Sequence, residues 1–476
     1  MRYTKEGGTS YEHALDHGVE FFSKAGSLFA KRESFYDGEE SALSLFQKVW
    51  IVDKPLAFKL LLWVRDCRGG AGNRSGFREC LRWVAERDPE WVSVNMKWIP
   101  EVGRWDDLRA LFPTPLRNQA SALWGGAILG NNLLAAKWAD RSDLPILYYL
   151  KSRGVKDIGD FRRLLAKVRK DGIVEHKMCT RQWGEIEYPK VPSVAMARYT
   201  NAFSRHDEER FAKYKEALAK GETTVHASVL FPHDCVRTCL HGDAKIADAQ
   251  FEALPNYMEE ADERVIVIAD TSGSMSCSVS GSVEAVHISQ GMALYCSAKM
   301  PKDSPFYKKF IGFCSEGKFK DWNGMSFSQA VNSRSYSYYN RGKDGIFDGA
   351  VGSTRIDKAL KLIVDTAKFF SLPDSYMPTT LLIVSDMQFH NGGCNSRGTE
   401  VEKALRLWTN AGYSIPKIVY WNTAGYAGAP TTSDHKGVAL VSGFSPAILT
   451  SIFSGTDLSP KGVMLRALEK YEIEVP

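Results

Sequence analysis

Hydrophobic and polar positions follow two different rhythms along this chain, and the change falls near Pro255. Before it, apolar residues recur three and four apart: Phe77, Leu81, Val84 and Ala85 share one face of an amphipathic helix. Segments 41–50 and 54–67 are dense in Leu, Phe, Ala and Lys; Asp53 and Pro55 start the second, and Gly69 and Gly70 stop it. Asp88-Pro89 opens a helix running towards Trp98, and 105–112 gives a short one. Helical stretches continue at 118–138, 158–170 and 207–220. Short helices on short loops, with tryptophans at the turns, predict a HEAT-like α-solenoid of stacked helix pairs, although no exact repeat is present.

After Pro255 the pattern alternates strand and helix. Strands are expected at 264–270, 306–313, 381–385, 417–421 and 438–441, and helices at 283–299, 356–370, 399–412 and 446–453. Such alternation implies right-handed crossovers and a doubly wound, mostly parallel sheet. The expected fold class is therefore α plus α/β, with a helical-repeat domain over 1–255 and a sheet domain over 256–476. Residues 323–353, rich in Ser, Gly, Tyr and Asn, form a long excursion without periodicity.

At 476 residues two domains are the default. The net charge of +5 is modest. Its distribution matters more, because the basic excess lies before about residue 255. It is densest from Lys151 to Arg181, through Arg162, Arg163, Lys167, Arg169, Lys170 and Lys177. A basic domain beside a neutral one suits a polyanion, although a solvated helix face gives the same run. The nine cysteines are scattered and include no C-x-x-C pair. Without an apolar N-terminal run or a stretch of about 18 apolar residues, the expectation is a reduced, cytoplasmic setting and no membrane.

The chemistry concentrates at strand ends. The run Val265-Ile-Val-Ile-Ala ends in Asp270, followed by Ser272 and Ser274. A second apolar run, Leu381-Leu-Ile-Val-Ser385, ends in Asp386, and Thr354 stands on the loop before the helix starting near Ile356. In open α/β sheets, ligands sit just beyond the carboxyl ends of strands. Hard oxygen ligands of low total charge suit Mg²⁺ or another divalent cation. No general base or nucleophile is evident nearby; His287 reads as packed or exposed rather than catalytic and Cys277 as unactivated, so no catalytic residue is expected.

Asp270-x-Ser272-x-Ser274, then Thr354, then Asp386 occur in the order of a metal-ion-dependent adhesion site, and the second half resembles a von Willebrand factor A domain. That resemblance implies that the serines and Thr354 bind the ion directly or through water, the aspartates partly through second-shell contacts. The ion would be left open to a carboxylate or phosphate oxygen.

The segment Leu62-Trp-Val-Arg65-Asp66-Cys-Arg68-Gly-Gly-Ala-Gly-Asn-Arg74 resembles the helix-loop motif of TROVE-like proteins, the class that includes the Ro autoantigen. Ile99-Pro-Glu-Val-Gly-Arg104-Trp105-Asp106-Asp107, Ala135-Ala-Lys-Trp138-Ala, Val191 to Tyr199 and Phe203-Ser-Arg205-His206-Asp207 resemble a DUF2828-like subfamily, in which a helical part precedes an A domain. The Ro-like resemblance implies a non-enzymatic RNA-binding protein, a monomer, that takes single-stranded 3′ ends and structured small non-coding RNAs.

A threaded single strand needs cations and flat side chains. Arg65, Arg68, Arg74 and Arg104, beside Trp63, Trp98 and Trp105, fit that role, with Arg162, Arg163, Lys167, Arg169, Lys170 and Arg181 as further phosphate contacts. The same arginines could instead pair with Asp66, Asp106 and Asp107 and tie repeats together. Trp50, Trp83 and Trp91 have core spacing. The segment Ser333-Arg334-Ser-Tyr336-Ser-Tyr338-Tyr339-Asn-Arg341 offers stacking aromatics. A rival metal set, His233, Cys235, Cys239 and His241, has zinc-type ligands but fits no common finger. The alternative to RNA binding is an adhesion or scaffold protein whose ion captures an acidic residue of a protein partner.

Overall fold

The protein is described from a computed structural model, which covers residues 2–3, 9–11, 16–28, 41–170, 172–227, 230–259, 261, 264–280, 283–335, 346–348, 354–390, 399–424, 430–433, 435–454 and 457–476. Helices α1 (His17–Leu28), α2 (Ala42–Val52), α3 (Lys54–Arg65), α4 (Arg74–Arg87), α5 (Pro89–Asn95) and α6 (Trp98–Val102) open the chain. Asp53 ends α2 and caps α3, its carboxylate accepting from Leu56 N, and Asn73 caps α4 through Gly76 N. Phe77, Leu81, Val84 and Ala85 are all buried, as the helical spacing required. Trp50, Trp83 and Trp91 meet edge-on at 5.6–6.2 Å within the core.

The expected short helix at 105–112 is a 3-10 turn, Trp105–Leu111. The expected stretch 118–138 is two helices, α7 (Arg117–Leu129) and α8 (Leu133–Trp138). Asn131 takes φ 58° and Asn132 caps α8 through Ala135 N, so the Gly-Asn-Asn sequence breaks the helix. Helices α9 (Leu144–Lys151), α10 (Ile158–Arg169), α11 (Val174–Cys179), α12 (Ser193–His206), α13 (Glu208–Ala219), α14 (Pro232–His241) and α15 (Ala244–Glu252) complete this half. Tyr188, Phe203, Phe211 and Tyr214 form a separate small core under α12 and α13.

The second half is built on strands β1 (Val265–Asp270), β2 (Lys309–Phe313), β3 (Gly317–Asp321), β4 (Thr380–Ser385), β5 (Lys417–Asn422) and β6 (Val438–Ser442). Their order is β6-β5-β4-β1-β2-β3, all parallel except β3, which pairs antiparallel with β2. Five of the six match the expected runs; β3, Gly-Lys-Phe-Lys-Asp, is mostly polar, so it carried no strand signal. Helices α16 (Ala285–Lys299), α17 (Phe327–Asn332), α18 (Ile356–Phe369), α19 (Glu400–Asn410), α20 (Ile448–Phe453) and α21 (Pro460–Leu468) accompany them. Strands β1 and β4 are buried along their whole length, and apolar but for Asp270, Thr380 and Ser385, because helices cover the sheet.

The two halves interlock. Helix α1 lies on β6, where Gly26 and Gly443 approach so closely that a Cβ on Gly26 would fall 2.3 Å from Gly443 N. Gly443 itself takes φ 106°. At this crossing glycine is obligatory on both counts. Helix α3 touches α21, while at the other end of the array α14 packs on α16 and α17. The helical array thus begins and ends on the sheet domain.

Candidate functional site

Stepping outward from β1 to β2 and β3, then back across β1 to β4, the chain leaves a switch point between β1 and β4. The crevice beyond such a point is where open α/β sheets hold ligands. Asp270 is the last residue of β1, and Asp386 directly follows β4. Both are fully buried, with Ser272 and Thr354, while Ser274 is half-buried.

Short-range geometry collects these oxygens. Asp270 Oδ1 accepts from Ser272 N at 2.9 Å, and Ser272 Oγ lies 3.1 Å from Ser274 Oγ. Ser385 Oγ donates to Asp270 Oδ2 and accepts from Met387 N at 3.0 Å, which ties β4 to β1 across the crevice. Asp386 Oδ1 accepts from Gln388 N at 3.0 Å. His390 N donates to Thr354 O at 2.8 Å, bringing the threonine loop beside the Asp386 segment. Met387 takes φ 62°, a left-handed conformation that costs a non-glycine residue energy and recurs at ligand sites. Ser353 and Gly352 lie outside the described residues.

Burial, and then the neighbouring Asp386 charge, push the Asp270 carboxyl well above its usual range, against the opposing hydrogen bonds from Ser385 and Ser272. Two buried carboxylates that repel one another, ringed by hydroxyls, are relieved by a divalent cation. The donor set therefore fits Mg²⁺: two carboxylates and three hydroxyls, all oxygen. Sequence reasoning missed Ser385, whose role depends on β4 lying beside β1. His287 is buried and its Nδ1 accepts from Glu284 N at 3.2 Å, a packing role.

The zinc-type set is set aside. No three or more His, Cys, Asp or Glu side chains converge to hold a metal among the described residues. His233 packs between Phe231 and Phe444, Cys235 is buried, and Cys239 Sγ lies 3.4 Å from Asn332 Nδ2.

On the helical half, the arginines divide. Arg65 is only 3% exposed; its Nε donates to Asp107 at 2.7 Å, and Arg78 Nε holds the other oxygen at 2.7 Å. It ties helices together, and its guanidinium is enclosed within the protein. Trp63 is likewise fully buried, packed on Phe22, so it offers no face to a base. Trp98 packs against Tyr471, and its Nε1 donates to Glu472 O.

Arg104 is half-buried, its guanidinium 4.5 Å from the centre of the Trp138 ring. Burial, and then repulsion by Arg74 and Arg65, lower its pKa. Arg74 is exposed and is the first residue of α4, so a positive helix end adds to the charge. Arg68 is exposed, with Nη1 donating to Glu101 O. Trp138 is a partner that sequence spacing did not connect to Arg104.

On α10, Arg162, Arg163 and Lys167 are exposed, as is Lys170 at its C-terminal end, while Phe161 and Leu165 are buried. Arg163 pairs with Asp160 at 2.5 Å. Arg169 turns inward, donating to Ala136 O and Ala139 O at the end of α8, a capping role. Arg181 is exposed, and Lys177 bonds Glu185 O. Tyr336, Tyr338, Tyr339 and Arg341 lie outside the described residues.

Comparisons with known proteins meet this picture at several points. Residues 159–268 match the domain of unknown function DUF2828. The match covers the segments from Val191 to Tyr199 and Phe203 to Asp207 that carried the resemblance in the sequence. Residues 264–470 match a second domain of unknown function, DUF7788. Across 99% of its length the chain is 24% identical to "Uncharacterized protein L728" of Acanthamoeba polyphaga mimivirus, covering 88% of that protein. The crystal structure of the Ro (RSR) protein of Deinococcus radiodurans is similar at a TM-score of 0.48 and 13% identity, over 96% of this chain and 100% of that one. A helical half followed by a sheet domain is the order of parts that the Ro-like resemblance implies. No described helix is long and apolar enough to cross a membrane.

Proposed function

We propose that this chain is a non-enzymatic RNA-binding protein of the Ro-like type, holding single-stranded ends or structured parts of non-coding RNA on its helical half. The observation that carries the reading is the grouping of Arg74 and Arg104 with Trp138. Two cations that repel each other stand beside an indole and a helix N-terminus. A phosphate would relieve that repulsion, and a guanidinium or indole plane can take a base. The exposed lysines and arginines of α10 extend the positive surface.

The sheet domain contributes an Mg²⁺ site formed by Asp270, Ser272, Ser274, Thr354 and Asp386. When bound, the ion would supply an open coordination position for an anionic oxygen; Ser385 Oγ fixes the Asp270 carboxylate by a hydrogen bond to its Oδ2. The test is binding of a labelled single-stranded RNA with a free 3′ end, followed across salt concentrations. Arg74→Ala with Arg104→Ala lowers affinity and flattens the salt slope by about 1.4, at about 0.7 per single-strand phosphate lost. An unchanged slope overturns the assignment.

A second reading is capture of a partner's carboxylate by the ion, since Asp270, Ser272, Thr354 and Asp386 all belong to the sheet domain. Protein association abolished by EDTA, in a preparation free of nucleic acid and without RNA affinity at low salt, selects that reading.

A further inference from the structure

Where the helical array closes on the sheet domain, three stretches of chain meet around one histidine. His233 is the second residue of α14 and is only 5% exposed. Its ring lies between those of Phe231 and Phe444, with centres 5.5 and 5.7 Å away. Gly291 of α16 comes so near that a Cβ there would fall 2.8 Å from His233 N. Phe444 N in turn donates to Ala71 O at 3.1 Å, and a Cβ on Gly72 would fall 3.0 Å from Phe231 Cζ. The loop before α4, the start of α14 and the end of β6 therefore share one tightly packed joint.

The joint accommodates a neutral imidazole and not a charged one. Nδ1 is buried without a hydrogen-bond partner among the described residues, and Nε2 stands 3.8 Å from Asp234 Oδ1, beyond bonding length. An imidazolium would be enclosed with no hydrogen-bonded counterion, in the first turn of a helix, where the dipole disfavours a cation. Burial lowers the pKa of His233; the Asp234 carboxylate favours the proton and Arg237 opposes it. Asp234 Oδ2 is itself engaged by Phe231 N at 3.0 Å, and burial keeps Cys235 a thiol. Residues 69–73 and 442–445 include no titratable side chain, and neither does α17. On α16, His287 and Tyr295 lie one turn to either side of Gly291; His287 Nδ1 accepts from Glu284 N, and Tyr295 Oη donates to Pro255 O. On α15, Asp248 is held by Ser328, while Lys245 and Glu252 are exposed.

We propose that His233 is an acid-sensitive latch: a proton taken up by its imidazole releases α14 from α16 and from the 442–445 loop, opening the helical array at the sheet domain. In the open joint the ring is solvated and titrates near the ordinary value of about 6.5, whereas in the closed joint it takes the proton only at lower pH. The closed state is therefore fully favoured above about pH 6.5 and loses ground as pH falls below it. A single proton raises the opening constant by up to about tenfold per pH unit, until the closed-state value is reached. The latch holds whether or not RNA is the ligand, and it needs no ion at the metal site.

The experiment follows amide hydrogen exchange of the full-length protein by mass spectrometry at pH 7.5, 6.5 and 5.5, with each rate divided by the intrinsic rate at that pH. Peptides covering 70–73, 230–237 and 443–446 should open up to about tenfold more at pH 5.5 than at pH 7.5, while a peptide across β1 stays protected. His233→Phe fills the same place between two rings and takes no proton, so it should abolish the acid step. His233→Gln, a second neutral replacement, should abolish it too, whatever its stability at pH 7.5. His287→Gln changes the other buried histidine of this region and should keep the step. An acid step that survives in the His233 variants overturns the proposal, as does a flat response in the parent. A rise shared equally by the β1 peptide also overturns it, because the whole chain is then unfolding and the joint is not the part that opens.

Discussion

Asn95 and Glu474 exchange two hydrogen bonds across the two halves of the chain, Asn95 Nδ2 donating to Glu474 O at 2.7 Å and Glu474 N donating to Asn95 Oδ1 at 2.8 Å. A side-chain amide thus stands in for a neighbouring strand and holds the C-terminal residues on the helical half. Lys97 adds a contact to the Glu474 carboxylate, which is exposed and therefore weak. Asn95 is fully buried, so Asn95→Ala leaves the Glu474 backbone groups without their partner. The expected cost is about 1–3 kcal/mol, read as a lower denaturant midpoint. Earlier proteolytic release of the C-terminal residues should accompany it; Lys97→Ala should do neither.

Asp66 makes the neighbouring tie, accepting from Lys470 Nζ at 2.6 Å and Tyr471 Oη at 2.8 Å. Burial opposes its ionisation, but the Lys470 charge and hydrogen bonds outweigh it and leave its pKa below the ordinary value. A carboxylate depressed on folding adds stability above its unfolded pKa, and loses it as pH falls through the folded value. Unfolding measured from pH 6 down to pH 3 should therefore show a shallower acid loss in Asp66→Asn than in the parent, from a lower starting stability. Parallel curves would remove Asp66 from the account.

Metal binding predicts a thermal shift. Mg²⁺ at about 100 times its dissociation constant should stabilise the folded chain by about 2.7 kcal/mol. Asp386→Ala and the pair Ser272→Ala, Thr354→Ala should abolish that shift. Asp270→Asn should also abolish it, while sparing the metal-free protein, because the charge it removes is one that burial and Asp386 both disfavour. A Mg²⁺ shift that persists in all three rules out this oxygen set.

Arg65 and Arg74 should separate stability from binding. Arg65→Ala strips one partner from the fully buried Asp107 and is expected to cost about 3–5 kcal/mol, seen in unfolding. Arg74→Ala, on an exposed helix end, should leave unfolding nearly unchanged and act on RNA affinity alone.

The place of Asp270 and Asp386 at strand ends was legible because its signal is local. An apolar run ending in Asp270 or Asp386 states where a strand stops, and strand ends are where α/β sheets gather ligands. The helices with regular apolar spacing, such as α4, were legible for the same reason. The residues from 193 to 206 and from 232 to 252 gave no helix expectation, although α12, α14 and α15 form there. Their apolar faces are completed by partners far away in the chain, as where Cys239 of α14 meets Ser328 of α17.

By itself, the order of amino acids determined the two-part architecture, the sheet's strands and the oxygen-rich strand ends, since each is signalled by a pattern within a few residues. Only tertiary structure decided which arginines face water. Arg65 and Arg104 have similar neighbours in sequence, yet one is enclosed by Asp107 and the other lies on Trp138. Burial and charge pairing are set by residues tens of positions distant, and no local pattern encodes which helix will lie against which.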